Sequence, residues 1–352
     1  MRNLVLVIGA GQAGLATGFH LKKAGVPFEI VDGHRRVGDS WRARYDSLSL
    51  FTPRQFSALP GLDLPGNREL YASRDEFADY LETYAARFQL PVLLGRRVTR
   101  LVNASDGGFG AALDDGSRII ASEVIVAAGA LQLALVPKLA VWFGHEVLQL
   151  TTETYRSPRQ LPYGPVLVVG DGASGRDIAV EVSRLQPVML ATGKPRKLFP
   201  ERLLGKSIWW WLNLLGVLKA PGDSRIGRKL RQSDAIPDRD RSIDSLTRRG
   251  IRVVSRLAEA SGTEARFADG TSAIIRTVIW AAGYRDDSFW LDIKGAKSSD
   301  GTFLHEAGVS PAKGIYFVGR PWQRNRASAL IMGAGDDAEI IIQRLLSDRA
   351  KP

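Results

Sequence analysis

The run Leu4-Val5-Leu6-Val7-Ile8-Gly9-Ala10-Gly11-Gln12-Ala13-Gly14 leaves the chain few folds to choose from. A continuous apolar run of this length suits a strand buried on both faces, as in a parallel sheet covered by helices. The glycines that follow form GxGxxG. Gly9 permits a tight turn, Gly11 lets the backbone approach a pyrophosphate, and Gly14 lets the next helix press onto the strand. That helix presents free N–H groups and the positive end of its dipole to phosphate, beginning with Gln12 and Ala13. It is expected to run to about Ala24 and to be followed by a second strand, Phe28-Glu29-Ile30-Val31-Asp32. Asp32 stands 18 residues beyond Gly14. A carboxylate there accepts hydrogen bonds from an adenosine ribose.

The pattern then recurs. Val166-Leu167-Val168-Val169 leads into Gly170-Asp171-Gly172-Ala173-Ser174-Gly175 and a helical stretch. Its second strand, near Val188-Met189-Leu190, ends without an acid; Thr192, Gly193, Lys194 and Arg196 come instead. Cations and a hydroxyl welcome the 2′-phosphate that a carboxylate would repel, which favours NADPH over NADH. NADH remains an alternative if these cations only line a solvated loop. A further similarity makes the two motifs an internal repeat. Asp115-Gly116-Ser117 precedes a strand ending Ala127-Ala128-Gly129. Asp269-Gly270-Thr271 precedes one ending Ala281-Ala282-Gly283, with the same spacing of 14 residues from Asp to Gly. Each half therefore reads as a Rossmann start, a β-meander turning at Asp-Gly, and a closing strand. The expected fold is α/β, with two Rossmann-like dinucleotide-binding domains. Two dinucleotide sites in one chain suit an enzyme that reduces a flavin with a nicotinamide.

Composition removes other classes. The 352 residues include no cysteine, which excludes a disulfide framework, thiolate metal sites and thiol redox pairs. The four histidines, at 20, 34, 145 and 305, lack metal-ligand spacing, so no metal is expected. The N-terminal apolar run is too short to span a bilayer and has no signal-peptide pattern, and a cytoplasmic location is expected. Of the net charge of +11, +10 falls between Lys194 and Arg256. No nucleic-acid fold motif accompanies it, so a nucleic-acid partner is not expected.

At this point the sequence resembles the two-dinucleotide-binding-domain flavoproteins. More narrowly it resembles bacterial flavin-containing monooxygenases and the related flavoproteins described as involved in potassium transport. Gly38-Asp39-Ser40-Trp41 is similar to the family's GGxW segment. Tyr45 through Pro53, Leu59-Pro60-Gly61-Leu62, the Ala-Ala-Gly strands, and the tail from Gly314 through Gly319 to Gln323 also match. The resemblance implies FAD on the first motif, held by Gly9, Gly11, Gln12, Ala13, Gly14, Asp32, Gly38, Ser40, Trp41, Val98, Ala128, Gly129 and Gly319. It implies NADPH, or NADH, on the second, held by Gly170, Gly172, Ala173, Ser174, Gly175, Thr192, Lys194, Arg196, Ala282 and Gly283. It also implies a second domain (151–284) inserted into the first (1–150 plus 285–352). The activity implied is that of a monooxygenase. Hydride passes from NADPH to FAD, O₂ adds to give a C4a-(hydro)peroxyflavin, and one oxygen goes to a small nucleophile or ketone. Small-molecule substrate and O₂ are the expected partners.

Two family signatures are altered. Aligned on Phe143, the family's FxGxxxH motif places His145 at its Gly and Gln149 at its His. The family's active-site Asn falls on Phe51. Phe51 and Thr52, expected at the flavin edge, are the candidate catalytic residues, with Gln149 a further candidate. These departures keep two alternatives open: an NAD(P)H-dependent flavin reductase or oxidase, and a redox-sensing or transport-accessory flavoprotein. A thioredoxin-reductase-like function is excluded, because disulfide chemistry needs thiols that this chain lacks.

One segment, about 198–248, stands outside the repeat. It carries Ile208-Trp209-Trp210-Trp211-Leu212-Asn213-Leu214-Leu215-Gly216-Val217-Leu218 between Lys206 and Lys219. The run is apolar nearly all round a helix, so something must cover it. The favoured reading is a cap on the cofactor cleft that excludes water and forms a substrate tunnel. A core or homodimer interface comes second, and a membrane-surface contact last. Asp223 to Asp244 is expected to be a mobile loop or short helix.

Overall fold

The computed structural model describes residues 3–105, 107–233 and 236–351. Its frame is two five-stranded sheets built on one plan. The first runs Ile315–Phe317, Glu123–Val126, Val5–Ile8, Phe28–Asp32, Val92–Leu94 from edge to edge, with every pair parallel. The second runs Leu148–Thr151, Thr277–Trp280, Val166–Val169, Val188–Ala191, Arg252–Val254, again all parallel. Strand for strand the orders correspond. The strands Val5–Ile8, Val166–Val169 and Val188–Ala191 carry unbroken apolar runs because helices or a meander cover both faces of their sheets.

Each sheet bears a three-stranded antiparallel meander. One is Val98–Asn103, Phe109–Leu113 and Arg118–Ala121; the other is Leu257–Ser261, Glu264–Phe267 and Ser272–Ile274. The two Asp-Gly turns are built alike. Asp115 accepts from Ser117 N, Asp269 accepts from Thr271 N, and Gly116 and Gly270 take φ of +85° and +83°. A left-handed φ of this kind suits glycine, which has no Cβ to clash.

The chain crosses between the sheets twice, and the crossings lie together. Leu133–Ala134 pairs antiparallel with Tyr284–Arg285. Leu148–Thr151 pairs with Thr277–Trp280, and Phe143 and Val147 share a core with Leu167 and Trp280. By its hydrogen bonds and packing, this stretch belongs with the second sheet, ahead of the 150/151 boundary read from sequence. The stretch from Asp223 to Asp244 is more ordered than a loop. It contains a helix, Arg225–Ser233, and a strand, Ile236–Asp238, paired to Leu198–Pro200; residues 234 and 235 lie outside the described residues.

The returning chain is locked onto the crossing by one ion pair. Arg320 holds both carboxylate oxygens of Asp286 at 2.7 Å, with each side chain 10% exposed, and donates to Gly129 O at 2.9 Å. Removing one partner of such a pair strands the other charge in a poorly hydrated site. Asp286→Ala is expected to destabilise the fold by about 3–5 kcal/mol. Chemical denaturation followed by circular dichroism checks this, and an unchanged midpoint would show that the pair does not hold the crossing.

Candidate active site

Both glycine motifs fold as the same cradle. A Cβ on Gly14 would sit 1.8 Å from Gly9 O, and one on Gly175 would sit 1.9 Å from Gly170 O. Gly9 and Gly170 take φ of +107° and +110°, and their own Cβ atoms would strike Ala127 O and Ala281 O at 2.7 and 2.4 Å. Only Gly11 and Gly172 face open space, with nothing within 4 Å of a Cβ. These two open glycines are the N-caps of the helices Gln12–Lys23 and Ala173–Val182. Neither cap has a side-chain hydrogen bond, and neither first turn carries an acid. Two helix N-termini with unfilled donors and open approaches are what a pyrophosphate requires. The residues present therefore fit dinucleotides at both sites.

The first cradle gathers most of its predicted members. Gly319 lies against Ala13, where a Cβ would come within 2.8 Å of the Ala13 methyl, and the Ala128 backbone crosses beside Gly9. Gly129 offers its carbonyl to Gln132 and Arg320. Trp41 donates its indole N–H to Gln12 Oε1 at 3.2 Å and stands edge-on to Phe77. Gly38 closes on the backbone of Ala78. Ser40 is exposed on the short turn Asp39–Arg42, and Val98 is buried at the start of the meander.

Asp32 accepts from Ala10 N at 2.7 Å and from both the backbone N and ring Nδ1 of His34 at 2.8 Å. Burial pushes the Asp32 carboxyl up, but the hydrogen bonds from His34 and Ala10 outweigh it and hold it below its usual range. The bond to Asp32 raises the His34 ring above its ordinary value. No sequence pattern marks His34 as the partner of this carboxylate.

At the second cradle, Asp32's counterpart is Thr192, whose N and Oγ1 both donate to Val254 O. Lys194 is exposed beyond it and Arg196 is half-buried. Ala282 and Gly283 lie at the crossing, where Leu135 N donates to Gly283 O. Asp171 puts a carboxylate inside the phosphate loop, but Arg176 neutralises it in a buried ion pair at 3.0 Å. Arg176 also binds the carbonyls of Asp171 and Arg241.

Phe51 and Thr52 fall together where the domains meet. Trp209 of the insert donates its indole N–H to Phe51 O at 2.7 Å, with the rings 6.0 Å apart. Thr52 is buried and hydrogen-bonded to Ser57 Oγ at 2.7 Å. Gln149 is held elsewhere: it accepts from Trp280 Nε1 and donates to Ala140 O, within the second domain's core. Sequence reasoning missed the residues that join the two domains. Tyr45 hydrogen-bonds Ser174 of the second motif, and burial pushes its hydroxyl pKa up. Arg239 donates to Ser49 Oγ at 2.6 Å over the Tyr71 ring, while Arg241, within the second domain, ties the insert to the motif's helix through Asp177 at 2.8 Å.

The insert belongs to the second domain by chain but is anchored on the first. Ile208, Trp209 and Leu218 pack with Phe56, Ala327 and Leu330. Gly222 N donates to Arg324 O, and Lys219 pairs with Asp336 at 2.8 Å.

Two matched dinucleotide cradles, on sheets joined by two paired crossings, define an oxidoreductase with two nucleotide sites. Residues 6–197 match the profile of the pyridine nucleotide-disulphide oxidoreductase family, and the chain belongs to that family. It is 43% identical over 345 residues to an uncharacterized CzcO-like oxidoreductase of Geobacillus kaustophilus, covering 97% of this chain and 98% of the relative. It is 29% identical over 379 residues to the indole-3-pyruvate monooxygenase YUCCA8 of Oryza sativa subsp. indica, covering 95% and 88%. Among solved structures, the flavin-containing monooxygenase from Stenotrophomonas maltophilia superposes with a TM-score of 0.83 at 26% identity over 99% of each chain. The absence of cysteine separates this member from the disulphide chemistry in the family's name.

The His34–Asp32 pair is open to a direct test. The His34 ring is expected to titrate above its ordinary 6.5, and Asp32→Asn to bring that midpoint down. The sign for stability follows: His34's contribution is complete below about 6.5 and is lost as pH rises through the raised midpoint. Asp32's contribution is present above 3.8 and is lost as pH falls through the lowered midpoint. Ring resonances followed by NMR decide it; equal midpoints in parent and variant would remove the pair.

Proposed function

We propose that the protein is an FAD-dependent, NAD(P)H-oxidising monooxygenase acting on a small nucleophile or ketone with O₂. The carrying observation is the matched pair of open, uncapped helix N-termini whose strand-end chemistry differs: Asp32 at the first, Thr192 and Lys194 at the second. The carboxylate suits the ribose of FAD, and the hydroxyl and cation suit the 2′-phosphate of NADPH. FAD bound at the first cradle would supply hydride acceptance and oxygen activation.

The chain's own residues bind, orient and exclude water. Gly11, Gln12 and Ala13 would hold the FAD pyrophosphate, and Asp32 its ribose. Trp41 and Gln12 brace each other beside that phosphate path. Gly172, Ala173 and Ser174 would hold the nicotinamide dinucleotide, with Arg176 keeping Asp171 from repelling it. Phe51 and Trp209 would supply an apolar wall beside the buried Thr52, and a dry site protects reactive intermediates. The names of the Stenotrophomonas and Oryza relatives agree with an oxygenating flavoenzyme.

A flavin reductase or oxidase is the second reading. It is favoured by the apolar Phe51 at the position of the family's Asn, and by the engagement of Gln149's amide with Trp280 and Ala140. The two part on the fate of O₂. Isotopically labelled O₂ appearing in a sulfide, amine or ketone product, at a yield matching NADPH oxidation, supports the monooxygenase. Release of all the O₂ as hydrogen peroxide moves the assignment to the oxidase.

The nucleotide sites have their own test. Gly172 has nothing within 4 Å of a Cβ, so Gly172→Trp starts its side chain into the open cradle. It is expected to retain FAD yet lose at least about 100-fold in the anaerobic rate of flavin reduction by NADPH, the scale expected when a reacting partner is held out of place. Unchanged reduction would sink the second-site assignment. Lys194→Ala is expected to raise the KM for NADPH several-fold and leave that for NADH near the parent value.

A further inference from the structure

The insert helix Ile208–Leu214 covers the first domain with one face only. Ile208 and Trp209 are buried, while the face carrying Trp211, Leu214 and Leu215 looks outward. Trp211 donates its indole N–H to Leu203 O at 2.9 Å, which brings the tip of the hairpin Arg202–Leu203/Lys206–Ser207 against that face. The result is one apolar patch of Leu203, Leu204, Trp211, Leu214 and Leu215, in which the leucines are 47%, 82%, 59% and 70% exposed. Adjacent leucines this exposed mark an interaction surface.

Cations flank the patch along the chain. Residues 202–231 contain seven basic side chains and one acidic one. The helix Arg225–Ser233 lies alongside, its Leu230 lining a small apolar pocket with Trp209, Leu212 and Leu218. Arg225, Arg228, Lys229 and Arg231 point to solvent with the exposed Ile226. Arg225, Lys229 and Arg231 make no ion pair with another described residue.

We propose that this surface docks on the face of an anionic lipid bilayer. A second copy of the chain fits badly, because a two-fold contact would bring the cations of one copy against those of the other. A nucleic acid would meet the cations but leave the leucines facing phosphate and water. An anionic membrane matches both features: headgroups take the charges, and the leucines with Trp211 enter the headgroup–acyl boundary. No helix among the described residues is long and apolar enough to cross a membrane, so the contact is with the surface.

The test is co-sedimentation of the full-length holoenzyme with vesicles of equal parts phosphatidylglycerol and phosphatidylcholine, and with phosphatidylcholine alone. Binding is expected only to the anionic vesicles. It is expected to fall as salt rises from about 0.1 to about 1 M, which shortens the Debye length from about 10 to about 3 Å. Leu214→Ser/Leu215→Ser removes the apolar element without changing the charge and should weaken binding at least tenfold. Arg225→Gln/Lys229→Gln/Arg231→Gln removes charge elsewhere on the surface and should weaken it about 100-fold, near fivefold per cation. Trp142→Ser, in an exposed position on the crossing, should bind as the parent does.

Absence of binding to anionic vesicles overturns the proposal, as does equal binding by both multiple variants and the parent. Two further results also overturn it. Concentration-dependent dimerisation abolished by the leucine variant would give the patch to a second copy. Retention on duplex DNA without vesicle binding would give the charge to nucleic acid.

Discussion

The fold depends on two contacts that only glycine permits. Gly14 lies so close to Gly9 O, and Gly175 to Gly170 O, that any side chain would drive the helix off its strand. Those contacts set the height of each helix above its sheet. They thereby aim each helix's unfilled N–H groups at the open space beside Gly11 and Gly172. The phosphate sites are a geometric consequence of helix–strand packing, and the strand-end side chains then decide which dinucleotide each one suits.

What was legible in the sequence is what is local and repeated. The glycine spacing, the Asp-Gly turns and the matching Ala-Ala-Gly strands each lie within a few residues, so backbone sterics translate them directly into structure. The fourfold correspondence of strands then follows from the repeat. Contacts between distant segments were not legible. Leu148–Thr151 is a short apolar stretch with no mark of which sheet it joins, and register with Thr277–Trp280 decides it. The candidate site divides the same way. Gly11 and Gly172 could be named in advance, whereas the Tyr45–Ser174, Arg239–Ser49 and Trp209–Phe51 contacts join residues far apart in the chain. Gln149 shows the limit from the other side: alignment brought it forward, and its neighbours Trp280 and Ala140 occupy its amide.

The insert changes how the two domains relate. It leaves the second domain's chain, grips the first through Trp209, Gly222 and Lys219, and returns through Arg239 and Arg241 to the helix of the second cradle. A relative rotation of the domains must therefore carry or break these contacts as well as bend the paired crossings. The insert's hold on Phe51 is tied to the same movement.

The origin of the outermost strands has a bearing on how the molecule is made. The second sheet takes its last strand from Leu148–Thr151, upstream of its glycine motif, so it is complete once Trp280 has been synthesised. The first sheet takes its last strand from Ile315–Phe317 and packs its opening helix against Ile331–Arg349. On a ribosome, the first nucleotide domain therefore waits, with its sheet open at one edge, until Ile315–Phe317 and Ile331–Arg349 have emerged. The inserted domain closes first, reversing the usual N-to-C order of domain folding.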